Sequence, residues 1–224
     1  MSAPQQPQLS KKEQKRLADK ARTEAFNKMR RSVLDAEESN DLLELIPMMR
    51  TFKRNGLDVT ATYYTKLDQD LLKWALDLTD RNMHQIYEDS WGWNETKKLN
   101  ELKDKAARFI VLRQGDELCG FVHLRFEFED NISHTYVSEL QIEPKFQRHG
   151  LGKFLLQCAE LITMKMGIIC VMLTVLKNNN NAYNFYKKNN YKFHPDSPSV
   201  ADPENAIDYY HEILVKDICK RPAI

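Results

Sequence analysis

Glu139-Leu-Gln-Ile-Glu-Pro-Lys-Phe-Gln-Arg-His-Gly-Leu-Gly-Lys153 ends a strand and opens a helix. The helix is expected over 150–166, because Phe154, Leu155, Ala159 and Ile162 fall on one side of it. Gly150 and Gly152 stand at its N-terminus, where backbone must come close to something and where free N–H groups favour phosphate. The stretch therefore reads as an anion cradle. It is not a Rossmann fingerprint, since Leu155 stands where the third glycine belongs. Nor is it a Walker A loop, since Phe154 follows the lysine and Gln147 replaces the first glycine.

Working upstream, 109–112, 118–128 and 135–142 are runs of strand formers separated by turns, which predicts an antiparallel meander. In the middle run Val122, Leu124, Phe126 and Phe128 share one face and His123, Arg125, Glu127 and Glu129 the other, so one face is expected in the core and the other to be polar. Before the meander, 59–63 reads as a strand. Asp68 caps a helix that carries Leu71, Trp74, Ala75 and Leu78 to about Tyr87, and 95–106 is a short charged helix. Downstream, 168–175 is a nearly continuous apolar run, as in a strand buried on both faces. A helix over 178–190, a short strand at 191–193, a proline-bearing loop and a last strand at 207–215 complete the chain.

The first nine residues carry Pro4, Pro7 and little to bury, and are expected to form a disordered tail. Ser10-Lys-Lys-Glu13 has capping-box spacing, and Leu17, Ala18, Ala21, Ala25, Phe26 and Met29 make one apolar stripe on a basic helix. Together with a short helix at 42–49 before the Asn55-Gly56 turn, 10–50 is expected to be a basic helical segment packed on the body, 51–217 the main domain and 218–224 a tail. From Ser10 to Arg31 nine basic residues stand against three acidic ones. The 224-residue chain carries only +1, so the remainder is mildly acidic and the whole is not expected to bind a specific nucleic acid.

At 42% hydrophobic and 29% charged, with no long apolar run, the chain is not expected to enter a membrane. The N-terminus has no apolar core behind its charges, so cytoplasm and nucleus are the expected locations, and the sequons at Asn94 and Asn131 are idle. Cys119, Cys158, Cys170 and Cys219 are widely spaced and expected to be buried thiols. The six histidines show no ligand spacing, so no metal is expected.

The loop and the element order together resemble the GNAT superfamily of acetyl-CoA-dependent N-acetyltransferases, whose pyrophosphate loop follows the fourth strand. Arg54-Asn-Gly-Leu57, Tyr87-Glu88, Trp91-Gly-Trp93, Arg125-Phe126, Gly150-Leu-Gly-Lys-Phe-Leu155, Val171-Met-Leu-Thr-Val175 and Glu212-Ile-Leu214 are similar to the histone-specific N-alpha-acetyltransferases of D type. The resemblance covers roughly 40–215. It implies an α/β GNAT fold, with a mixed, mostly antiparallel central sheet flanked by helices, splayed fourth and fifth strands and an extra N-terminal helix. It also implies acetyl-CoA as co-substrate and, as partners, the Ser-Gly-Arg-Gly tails of histones 4 and 2A, with the basic helix as a possible ribosome contact.

For the residues, the resemblance implies Glu139 as general base. The backbone of Leu140, Gln141 and Ile142 would pair with pantetheine, a strand N–H there polarising the thioester carbonyl. The backbone of Arg148, His149, Gly150, Leu151, Gly152 and Lys153 would hold the pyrophosphate. Asn179 and Tyr186 sit where the family touches pantetheine and sulfur, and an aromatic from the helix's apolar side explains Tyr186 equally well. Tyr87 and Trp91 match peptide-cleft aromatics, Thr174 a substrate-contacting threonine and Glu127 an acid that receives the substrate's third-residue arginine; Trp93 is expected in the core. Two positions depart from the family, which has tyrosine where Ser138 and His211 stand. Read by themselves, the residues also admit a GNAT acting on a lysine or small amine, and a non-enzymatic chromatin- or ribosome-binding protein that uses the 10–31 helix.

Overall fold

The computed structural model describes residues 10–221, so the expected tail at 1–9 and the end of the one at 218–224 lie outside the described residues. Helix α1 (Lys11–Glu38) opens on the expected capping box: the Ser10 N–H donates to the Glu13 carboxylate at 2.9 Å, and the Glu13 N–H to the Ser10 hydroxyl at 3.3 Å. Only its second half packs. Met29, Val33 and Ala36 are buried against the sheet and the helix Leu151–Met166, whereas Leu17 is 53% exposed and Ala18 and Ala21 are exposed as well. At about 1.5 Å per residue the helix runs to roughly 40 Å, and the first half of the stripe stays exposed along it.

Two short 3-10 turns (Leu42–Leu45, Pro47–Arg50) lead to an eight-stranded sheet. Its strands are β1 (Thr51–Arg54), β2 (Leu57–Tyr64), β3 (Arg108–Gln114), β4 (Glu117–Glu129), β5 (Ile132–Ile142), β6 (Cys170–Leu176), β7 (Lys192–Phe193) and β8 (His211–Asp217), in the order β1-β2-β3-β4-β5-β6-β8-β7. Helices α2 (Gln69–Glu88) and α3 (Glu95–Lys103) cover one face. Helices α4 (Leu151–Met166) and α1 cover the other, and α5 (Asn180–Lys188) and the single turn α6 (Pro198–Ala201) follow β6. The GNAT architecture expected from the sequence is the one observed. The edge strand β1 had no sequence signal beyond the Asn55-Gly56 turn, and the last strand starts at His211 because 206–208 form a 3-10 turn.

The divergent pair is β5 and β6. They run parallel and pair only through His134↔Cys170, Thr135↔Val171 and Tyr136↔Met172. Beyond Tyr136 they part. On its other side β5 stays bonded to β4, with one irregularity: His123 pairs with Glu139 but Leu124 pairs with Val137, so Ser138 is an extra residue that bends the strand.

The core corrects the reading of β4. Ile110, Leu112, Val122, Leu124 and Phe126 pack under α4, as expected, but Phe109, Val111 and Phe121 pack under Leu71, Ala75, Leu78 and Leu102 on the opposite face. The middle of the sheet is therefore buried on both sides, and the polar face of β4 begins only at Arg125. The four cysteines are free thiols; burial pushes those of Cys158 and Cys170 up to about 12. No helix among the described residues is long and apolar enough to cross a membrane.

Candidate active site

Where β5 and β6 part, they open a cavity of about 440 Å³. Its walls are the diverging strands, the end of α2 (Met83, Tyr87), the Trp91-Gly92-Trp93 connection, α3 (Lys98, Glu101) and the start of α5. The cavity gathers Tyr87, Trp91, Ser138, Glu139, Leu140, Gln141, Thr174, Asn179 and Tyr186 from the residues singled out in the sequence. Trp93, expected in the core, also lines it and is partly exposed. Glu127, Ile142, His211 and the 148–153 loop do not line it.

Glu139 is 6% exposed and every hydrogen bond it accepts comes from a neighbouring side chain. Its Oε1 accepts from Lys98 Nζ at 2.7 Å and from the Tyr87 hydroxyl at 3.4 Å, and its Oε2 from Gln141 Nε2 at 2.8 Å. Lys98 also donates to Glu101 at 2.6 Å and stands 5.3 Å from the centre of the Tyr87 ring. Burial by itself would lower the Lys98 pKa. The charge of Glu139, the Tyr87 hydroxyl and the bonds to both glutamates outweigh it and hold the ammonium above the ordinary lysine value. Burial, then Glu139, pushes the Tyr87 phenol up in turn.

Sequence reading missed Lys98, because a short helix rich in Lys and Glu reads as solvated. The available signal was Leu102, one helical turn on: both residues share the face that α3 presents to the body.

The neighbours of Glu139 are held in turn. Tyr136 donates to Thr174 Oγ1 at 2.8 Å, a bond from β5 to β6 at the point of divergence, so this hydroxyl pair ties the strands at the cavity wall. Asn179 caps α5, accepting from the Ala182 N–H at 3.1 Å, and its Nδ2 reaches Met83 Sδ at 3.7 Å. Tyr186 is packed edge-on between Phe185 and Tyr191, and burial raises its pKa. His123, opposite Glu139 on β4, stacks on Phe109 at 4.8 Å, and neither ring nitrogen has a hydrogen-bond partner among the described residues. Burial pushes its pKa down to about 3, so the ring is neutral.

The glycine loop sits at the other end of the divergence. Arg148 (φ 65°) and Gly150 (φ 96°) are left-handed, and the backbone there turns from the end of β5 into α4. Asn55 Nδ2 clamps the His149 carbonyl at 2.8 Å, and Gln147 Nε2 holds the Ile142 carbonyl at 3.0 Å. A Cβ on Gly150 would approach Phe52 at 3.5 Å and Asn55 at 3.8 Å, which are ordinary contacts. Glycine is needed there for its φ rather than for space. The first-turn amides of Leu151, Gly152 and Lys153 have no helical carbonyl to bond, and they lie at the positive end of a 16-residue helix. The Leu151 side chain is core, so this residue can offer a ligand only its backbone.

The acids divide differently from expectation. Glu127 is taken up by its neighbours, with His134 Nε2 at 3.2 Å on one oxygen and Arg125 at 3.0 Å on the other; the His134 bond is the main cause of its lowered pKa. Glu129 joins Glu127 and His134 in a group whose ligand atoms lie within 4.8 Å, but Arg125 already answers part of that charge. Glu212 is buried under Ser197, Ser199 and Lys177 and pins the 194–206 loop to β8. The acids that face the cavity are Glu139 and Glu101. His211 stands just outside, its ring 5.4 Å from that of Trp91 and its pKa lowered by burial.

The model of the acetyltransferase (GNAT) family matches residues 71–191. Over 113 residues the chain is 29% identical to a spermidine N(1)-acetyltransferase of Thermoplasma acidophilum, an overlap of 47% of this chain and 68% of that protein. Among solved structures, an acetyltransferase of the GNAT family from Listeria monocytogenes aligns with a TM-score of 0.55 at 13% identity, covering 75% of this chain and 99% of that one. The ribosomal-protein-S18-alanine N-acetyltransferase of Escherichia coli aligns at 0.51 and 16%, covering 73% and 97%. At these identities the two structures speak for the fold.

Proposed function

The chain belongs to the acetyltransferase (GNAT) family, whose members use acetyl-CoA, and on that premise we propose that it acetylates the N-terminal α-amine of proteins beginning Ser-Gly-Arg-Gly, as histones 4 and 2A do. The observation that carries this reading is a pair of contacts beside the cavity that join the end of α2 and the α2–α3 connection to the chain after β6 and to β8. Trp91, from the α2–α3 connection, meets His211 at the start of β8, and Asn178 Nδ2 donates to the Ile86 carbonyl at 2.8 Å. A polypeptide that reaches Glu139 beside these contacts is more easily accommodated by its end than by a loop.

The residues suit the co-substrate. Leu140, Gln141 and Ile142 have β4 on one side and no strand on the other, so their outward backbone groups can pair with an extended amide-bearing arm. The first-turn amides of α4 can take a pyrophosphate, with Arg148, His149 and Lys153 around them. Bound acetyl-CoA supplies the activated acetyl thioester. Glu139 receives the proton of the amine, directly or through one water, while the amine nitrogen bonds the acetyl carbon in place of sulfur and a proton passes through solvent to the departing CoA thiolate. A β5 N–H stabilises the carbonyl oxygen as it gains charge. Asn179 and Tyr186 flank the sulfur end, while Tyr87, Trp91, Ser138, Thr174 and His211 bound the acceptor. Glu127 receives the substrate arginine by exchanging its bond with Arg125 for one to the guanidinium.

A second reading, acetylation of a small polyamine, is favoured by the likeness to the spermidine enzyme and by two carboxylates facing the cavity. Mass spectrometry after incubation with acetyl-CoA separates them. The proposed activity gives acetylation of a Ser-Gly-Arg-Gly peptide that is lost when the N-terminus is blocked. Turnover of spermidine with the free peptide untouched selects the second reading and overturns the first.

A further inference from the structure

Lys98 is the one buried lysine among the described residues, and it stands in the wall of the acyl-transfer cavity with its ammonium 2.7 Å from Glu139. A long cationic side chain is costly to bury, and here its charge is met on every side. The titratable groups facing it are Glu101 on its own helix, Glu139 on β5, Tyr87 on α2 and His123 on β4, the last kept neutral by burial. Arg125 and Asp104 act on His123 from farther along β4 and from the end of α3.

This arrangement changes what Glu139 can offer an incoming group. One of its oxygens is already matched by a full positive charge and the other is bonded to Gln141. Glu101 lies on the other side of Lys98 and is partly open to water, so its charge is screened and spent on the lysine. An ammonium ion brought to Glu139 would lose its hydration and stand beside a like charge, with only the partly exposed Glu101, itself bonded to Lys98, left as counter-charge. A neutral amine meets none of these costs and can still pass its proton on once it has attacked.

We propose that Lys98 selects the acceptor by its basicity: by holding the charge of Glu139, it makes the site take its amine in the neutral form, which favours α-amines over lysine and polyamine ammonium groups. The proposal rests on Glu139 being the group that receives the proton. With pKa values of about 7.7 and 10.4, an α-amine and a lysine amine differ about 400-fold in neutral fraction at pH 7. The selection needs no contact with the rest of the substrate.

The test is the pH dependence of kcat/KM on a Ser-Gly-Arg-Gly peptide. Between pH 6.5 and 9 the neutral fraction of its α-amine rises about sixteenfold, and wild-type kcat/KM should rise with it. Lys98→Arg, which keeps the charge, should follow the same curve. Lys98→Met frees Glu139 to dock the ammonium, so its rise should shrink below about threefold, with its largest relative gain at the acid end. A Met variant with the wild-type slope overturns the proposal. Should that variant lack the wild-type circular dichroism spectrum, the wild-type curve decides, since kcat/KM that is flat or falls over this range means that the ammonium form is used. Failure of the function itself looks different: no acetylation of the free peptide at any pH.

Discussion

Gly120→Ala should damage both the fold and the site from a position outside the cavity lining. Gly120 lies on β4 opposite Ile142, and a Cβ there would stand 2.5 Å from the Gln141 carbonyl oxygen, 2.6 Å from Ile142 Cδ1 and 3.1 Å from Ile142 Cα. An unstrained contact needs about 3.4 Å, so the end of β5 must retreat by roughly 0.9 Å or the pairing must break. Overpacking of this kind costs about 2–3 kcal/mol. For a chain of this size that lowers Tm by about 4–12 °C. The displaced segment carries Leu140 and Gln141 and adjoins Glu139, and a shift near 1 Å at reacting groups costs on the order of a hundredfold in turnover. Differential scanning fluorimetry and steady-state kinetics measure the two effects. A Tm within 1 °C of wild type together with kcat/KM within about twofold would refute the reasoning, because the neighbours would then have absorbed the methyl at no cost.

Four further outcomes are expected. Glu139→Gln should cut kcat/KM steeply, and by a similar factor from pH 6.5 to 9, because the proton released once the amine has attacked then has no acceptor. It leaves Lys98 with Glu101 alone, at about 1–3 kcal/mol of stability by urea melts, and neutral-pH turnover equal to wild type would remove Glu139 as the base. Gly150→Val places a β-branched residue at φ 96°, a strain of about 1–3 kcal/mol, and titration calorimetry should show acetyl-CoA affinity down about five- to 150-fold; unchanged affinity would move the pyrophosphate site elsewhere. His123→Phe removes two buried nitrogens with no partner and should raise Tm by about 2–8 °C, whereas a lower Tm would mean that the imidazole is bonded after all. The Glu127 pKa is depressed, so its stabilising contribution is full above the ordinary carboxylate value of about 4.3 and disappears as pH falls through its folded pKa; the gap between wild type and Glu127→Gln should be widest near pH 6 and shrink as pH falls below about 4.3, and a gap that does not change on acidification contradicts this.

By itself the amino-acid sequence determined what depends on near neighbours and on period. Ser10 with Glu13 and Asp68 before α2 set helix starts through bonds that span three residues. The two-residue alternation of 118–128 and the apolar run in β6 set strand faces, and the glycine at φ 96° set the loop into α4. From these the order of elements could be read, and the resemblance carried by the loop and the scattered motifs implied the GNAT fold and the position of Glu139 on the diverging strand. What the tertiary structure alone decided are the meetings between residues far apart in the chain. Lys98 and Glu139 are 41 positions apart, and nothing in the pattern of a charged helix says that one of its lysines will be pressed onto a sheet. The tie of Glu127 to His134, the burial of His123 against Phe109, and the exposed first half of α1 follow from how far each element reaches across its neighbours. A charge's partner is fixed by distances of a few ångströms, which packing sets; local propensity sets only which face of its own element the charge occupies.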